Sequence, residues 1–269
     1  MCEIHKIDRK KIEEAFAEYT ARYDAQDPKV DLKIRHTYRV AALCEEIAGS
    51  QKCSDRENDF AWLSGMLHDV GRFEQLRKYG TFIDARSVDH AGLSAELIFG
   101  NVEGEDIYYP QSLRTYVEEC LSSRERMWIE QVVRWHNAYE LPKGLSKEEI
   151  FFSNVLRDAD KIDIFRVNLD TPLEQIYNVS TEELRNSEVS PEVMEAFEEK
   201  RTILRSLKKT PVDHVVGHIA LVFGLVFPES VRIVKEQGYL EKLLYFQSEN
   251  EKTKEQFARL REILKIKEQ

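Results

Sequence analysis

Chain-breaking residues are scarce: 11 glycines and 7 prolines in 269 residues, and no strand-like alternation lasts more than a few positions. Helices are therefore expected to dominate, and an all-β fold is excluded. The 4 cysteines, Cys2, Cys44, Cys53 and Cys120, show neither CxxC spacing nor a dense framework. A disulfide scaffold is thereby excluded, and Cys44 and Cys120 read as small core hydrophobes. No apolar run nears the roughly 20 residues of a spanning helix, and MCEIHKIDRKK at the start lacks the apolar core of a signal peptide. A cytoplasmic protein with no membrane partner is the expectation. Positive charge is in deficit too, with 39 basic against 49 acidic residues and a net charge of −10. That balance repels a polyphosphate backbone and argues against general nucleic-acid binding, while leaving room for a small phosphorylated ligand in a local basic pocket. Internal repeats, low-complexity tracts and Gly/Ser-rich linkers are also missing, so one compact unit over residues 1–269 is favoured.

What is present is a series of helix signals. Asp27-Pro28 reads as an N-cap followed by a first-turn proline, opening a helix to about Gly49. His36, Val40, Leu43 and Ile47 fall on one stripe of it, which places the histidine on the buried face. Ser54 and Glu57 have capping-box spacing and open a second helix through Phe60, Leu63 and Leu67 that delivers His68-Asp69 at its end. A third helix is expected near Ser87 or Asp89 with His90 in its first turn. Another, from about Arg124, leads to His136. Ser146 and Glu149 repeat the capping box and open FFSNVLRDADKIDIF, apolar on nearly every face. The polar, acidic stretch from Thr171 to Pro191 is expected to be irregular or a lid, and the chain beyond Asp213 to be packing helices.

Carboxylates and imidazoles buried together cost several kcal/mol or more unless their charge is compensated, and a divalent metal compensates most directly. Nitrogen and oxygen donors of this kind suit Mn, Fe, Co, Ni or Zn, with Mg possible. The order His36, His68-Asp69 within LSGMLHDVGRFEQ, and Asp160 within LRDADKIDIF resembles the H…HD…D signature of the HD-domain superfamily over roughly residues 30 to 165. SVDHAGLSAELIF with His90 and the WHN with His136 are similar to the extra histidines of members that hold two metals.

This resemblance implies an all-α, compact helical bundle around one or two ions, with a core at about 30–165 and additional C-terminal helices at about 166–269. It implies His36, His68, Asp69 and Asp160 as metal ligands, with His90 and His136 as second-metal ligands or substrate contacts. The activity it implies is metal-dependent phosphohydrolysis of a small phosphorylated metabolite or nucleotide through a metal-activated water. Asp69 would then sit between two ions, and Glu74 would orient or deprotonate the water. Arg72, Arg77, Lys78 and Lys161, near the ligands in sequence, are the candidates for clamping phosphoryl oxygens. Asp158 competes with Asp160, but residues two apart on an unbroken helix point about 200° from each other. The motif favours Asp160. His214 and His218 have metal-binding i, i+4 spacing but purely apolar neighbours, and read as packing or pocket-lining residues. Two rivals remain: an HD-type diiron oxygenase using the same six ligands, and a non-enzymatic ligand-sensing module.

Overall fold

The computed structural model describes residues 6–102, 106–172, 176 and 179–265. Among these residues the chain is all-helical, with no strand. It divides into two compact units, Met1–Ala159 and Asp160–Gln269.

The first unit contains α1 (Arg9–Thr20), α2 (Pro28–Ser50), α3 (Asp55–Leu67), α4 (Val70–Tyr79), α5 (His90–Phe99), α6 (Gln111–Cys120), α7 (Ser123–Arg134) and the first half of α8 (Lys147–Asp170). Its starts are written in side chains. Asp27 accepts from the Lys29 amide ahead of Pro28, and Ser54 with Glu57 closes a reciprocal capping box. Asp89 accepts from the Ala91 and Gly92 amides. Each cap satisfies donors that the helix itself leaves without partners. The helix expected from Arg124 starts instead at Ser123, because Ser122 and Glu125 form a further capping box. Three helices of the first unit had no counterpart in the reading of the sequence: α6, α4 and α1, the last of which sets Phe16 and Tyr19 edge-on against Phe73 of α4.

Two glycines set the spacing of the helices that carry the histidines. A Cβ on Gly65 of α3 would stand 2.5 Å from the Ala41 Cα of α2, so only glycine lets these backbones touch. A Cβ on Gly71 would stand 2.7 Å from both the His90 carbonyl and the Ser94 amide. The Gly71 amide donates to the Ser94 hydroxyl at 2.9 Å, which ties α4 to α5.

The second unit holds the remainder of α8 and helices at Thr181–Asn186, Pro191–Glu198, Pro211–Ile219, Pro228–Gln237, Tyr239–Leu243 and Glu251–Ile263. Part of the segment expected to be irregular is therefore helical, with Ser180 capping Thr181–Asn186; residues 173–175 and 177–178 lie outside the described residues. Four donors converge on the buried Asp213 carboxylate: the Ser190 amide and hydroxyl and the Lys209 and Thr210 amides. They pin the Pro211 helix to the Pro191 helix. No helix among the described residues is long and apolar enough to cross a membrane.

Candidate metal centre

The break between α3 and α4 makes the centre. His68 still has helical backbone, but Asp69 leaves it with φ −109° and ψ 15°, and α4 starts anew at Val70. The turn points the Asp69 carboxylate into a space that α2, α5 and the end of α7 also face. His36, His68, Asp69, His90 and His136 meet there, none more than 4% exposed.

The carboxylate lies between two histidine pairs. Asp69 Oδ2 is 3.5 Å from His36 Nε2 and 3.4 Å from His68 Nε2. Asp69 Oδ1 is 3.5 Å from His90 Nε2 and 3.8 Å from His136 Nε2. Within the pairs, the His36 and His68 Nε2 atoms are 3.2 Å apart and those of His90 and His136 3.1 Å. The ligand atoms form two triads, His36, His68, Asp69 and Asp69, His90, His136, each compact enough to hold one ion.

Hydrogen bonds on the far side of the rings decide what the near side offers. His68 Nδ1 is 2.7 Å from the Gly65 carbonyl, and His136 Nδ1 is 2.7 Å from the Val133 carbonyl. His90 Nδ1 is 2.7 Å from Asp84 Oδ2. These oxygens only accept, so each Nδ1 carries the proton, and each Nε2 of a neutral ring presents a lone pair. His90 and His136 thus aim two lone pairs at each other across 3.1 Å, beside an Asp69 Oδ1 that accepts no hydrogen bond although it is buried. Such an orphaned acceptor costs about 1–3 kcal/mol. Either a proton or a cation would resolve the conflict. Burial, followed by the Arg72 guanidinium, pushes the His90 pKa down, which disfavours the proton. Two nitrogens each about 2.1 Å from one ion sit roughly 3 Å apart at right-angle coordination, so the donor set fits a divalent metal.

Charge around Asp69 is already arranged for the anion. Burial works against its ionisation, but Lys33, His68 and Arg72 outweigh it and hold the carboxyl well below the usual carboxylate range. The Lys33 ammonium is 2.6 Å from Oδ2, and Arg72 Nε is 3.6 Å from Oδ1. Arg72 Nη1 donates to Asp84 Oδ1, to the Phe82 carbonyl and to Gln75, while its buried Nε donates no hydrogen bond. Asp84 therefore orients both His90 and Arg72. Although burial opposes its charge, the bond from His90 holds the Asp84 carboxyl below its ordinary value.

Three other expected residues, Glu74, Arg77 and Lys78, are placed differently. Both Glu74 oxygens accept from Arg77 at 2.9 Å, and Oε1 also accepts from the Tyr23 hydroxyl at 2.8 Å. These are the contacts of an ion pair within α4, closed by Tyr23 from the turn that follows α1. Arg77 binds Asp106 as well and lies over the Tyr108 ring, and Lys78 is exposed. Asp160 and Lys161 are half-buried on the part of α8 that belongs to the second unit, where the Lys161 ammonium donates to the Gly224 carbonyl. Asp158 is fully buried on the same unbroken helix.

Sequence reasoning passed over Lys33 and Asp84. Lys33 stands three residues before His36 on α2, hence on the same face, and that spacing was the available signal. Asp84 lies in a short 3-10 turn, Asp84–Arg86, with no periodicity to mark it.

Compared with family models, with curated proteins and with solved structures, the chain matches none.

Proposed function

We propose that the protein is a metal-dependent phosphohydrolase with an HD-type centre, acting on a small phosphorylated metabolite or nucleotide. The observation that carries this reading is the Asp69 carboxylate between two histidine pairs, with the His90 and His136 lone pairs opposed at 3.1 Å. His36, His68 and Asp69 Oδ2 would hold one ion, and Asp69 Oδ1, His90 and His136 a second. When bound, a divalent ion there supplies Lewis-acid stabilisation of phosphoryl charge and makes water acidic enough to attack near neutral pH.

The chain's own residues do the rest. The Gly65 and Val133 carbonyls and Asp84 take the Nδ1 protons of His68, His136 and His90, and so keep each Nε2 directed inward. Arg72, anchored through Nη1 to Asp84, keeps Nε beside the centre as a donor for a phosphoryl oxygen. Glu74, closed off by Arg77 and Tyr23, carries no step.

The test is metal analysis of the purified protein, followed by a screen of phosphomonoesters, nucleotides and dinucleoside polyphosphates with Mn, Fe, Co, Ni and Mg. Metal-dependent phosphate release, lost when His90 and His136 are both replaced by alanine, is expected. Oxygen uptake by the iron-loaded protein without phosphate release would transfer the centre to oxygenase chemistry.

A further inference from the structure

Each oxygen of the Asp69 carboxylate serves one histidine pair and one cation. Oδ2 faces His36 and His68 at 3.5 and 3.4 Å and takes the Lys33 ammonium at 2.6 Å. Oδ1 faces His90 and His136 at 3.5 and 3.8 Å, with Arg72 Nε at 3.6 Å. Each candidate ion position thus has a cation of the chain beside it. The two cations share a further neighbour. Lys33 Nζ lies 5.4 Å and Arg72 Cζ 5.7 Å from the centroid of the half-buried Phe82 ring. A ring face attracts positive charge but offers no lone pair for an N–H to donate to.

Both cations have donors to spare. An ammonium carries three N–H bonds, and among the described residues the Lys33 ammonium donates to Asp69 alone. Arg72 Nε is buried and donates no hydrogen bond. The one acceptor of Lys33 is also the oxygen that an ion held by His36, His68 and Asp69 would claim. Two cations on one oxygen repel each other, so an ion in that position frees the lysine. The freed ammonium remains beside the centre, because Lys33 stands three residues before His36 on the same face of α2 and its side chain is only 13% exposed. Its next acceptor has to arrive with a ligand.

Resting on the metal-dependent reading given above, we propose that Lys33 selects phosphomonoesters over phosphodiesters at this centre by donating to the third terminal oxygen of the phosphoryl group. A diester has two non-bridging oxygens, and two ions that each polarise one of them use both. A monoester has a third, which carries its second negative charge. Arg72, fixed through Nη1 to Asp84 and to the Phe82 carbonyl, can share an oxygen with the ion beside it in either ester. Lys33, whose own acceptor the other ion takes, is the cation left for the third. Its compact ammonium turns freely on a flexible stem, which suits an oxygen that is present in one class of ester and absent from the other.

The experiment is calorimetric titration of the full-length, manganese-loaded protein with inorganic phosphate and with dimethyl phosphate, comparing wild type, Lys33→Gln and Lys33→Arg. Wild type alone gives a first answer: phosphate should bind about tenfold or more tightly than dimethyl phosphate, and parity overturns the proposal. Lys33→Gln keeps a donor for Asp69 and drops the charge. It should bind phosphate roughly 10–100-fold more weakly, the worth of one charge-assisted hydrogen bond, and dimethyl phosphate as wild type does. Lys33→Arg should recover most of the loss. With p-nitrophenyl phosphate as substrate, KM of Lys33→Gln should rise by the same factor with kcat nearly unchanged. A lysine that only neutralises Asp69 would change bound manganese or helical content and leave phosphate affinity of the loaded protein as in wild type; that result overturns the proposal, as does equal weakening of both ligands. No measurable phosphate binding by loaded wild type overturns it too. Wild type that binds phosphate through Lys33 yet releases none from the ester supports the assignment of Lys33 and overturns the hydrolase reading instead.

Discussion

At the scale of single residues, two carboxylates two turns or less apart in sequence have opposite roles. Asp69 collects four imidazoles and two cations, whereas Glu74 is locked between Arg77 and Tyr23. Asp69→Asn keeps the volume and removes the charge, so bound metal, measured by elemental analysis, should fall at least tenfold per chain. Glu74→Gln should leave metal content unchanged and instead lower unfolding stability by about 1–3 kcal/mol, since Arg77 loses its buried partner. Metal loss in Glu74→Gln would mean that the ion pair also shapes the centre. Asp84 works one bond further out, through the Nδ1 of His90. Supports of this kind carry roughly 10–100-fold in metal affinity, and Asp84→Asn should show a loss in that range in a competitive chelator titration. Wild-type affinity in that variant would reduce Asp84 to a partner of Arg72.

At the scale of helices, what could be read from the sequence was what local chemistry writes. Asp27-Pro28, Ser54 with Glu57, and Asp89 each cap the helix expected of them. The turn at His68-Asp69 came where the motif placed it, and the histidines on apolar stripes came to rest buried together. Relations between distant segments were not legible. Nothing local to Arg9–Thr20 announces that Phe16 and Tyr19 will meet Phe73, and Asp84 becomes informative only once the fold sets it against His90. The two close glycines belong to the same class. Gly71→Ala would push a methyl to 2.7 Å from the His90 carbonyl. Overpacking of this sort costs about 1–3 kcal/mol, and it should also part His90 from Asp69. Calorimetry and metal analysis should therefore move together, and a destabilised variant with full metal content would separate packing from the centre.

At the scale of the whole molecule, stability should carry a pH signature from one lysine. The folded-state pKa of Lys208, about 8, lies below the ordinary value near 10.4 of a lysine in an unfolded chain. A depressed lysine disfavours the folded state while it is charged. The cost is therefore fully present below about pH 8 and disappears as pH rises towards the unfolded value. Its size is on the order of 1–3 kcal/mol once partial solvent screening is allowed for. Lys208→Met should be more stable than wild type at pH 7, with the gap closing between about pH 8 and 10.5. A gap that stays constant across that window in denaturant titrations would show that the ammonium is well solvated.

The Lys33 ammonium, 2.6 Å from Asp69 Oδ2, has a bearing on how the protein is assembled in time. Many small metal-holding domains cannot fold until the ion arrives, because their ligands repel one another in its absence. Here a resident cation already meets one oxygen of the most buried acid, and a folded helical body surrounds it. On the proposed metal-binding reading, a newly made chain would reach its final shape first and acquire its ions afterwards, with Lys33 giving way as they enter. Chain synthesised under strict chelation should have wild-type helical content by circular dichroism and should take up metal without passing through an unfolded state. Lys33→Met made in the same way should fold poorly until metal is added, since its newborn form would lack the stand-in charge.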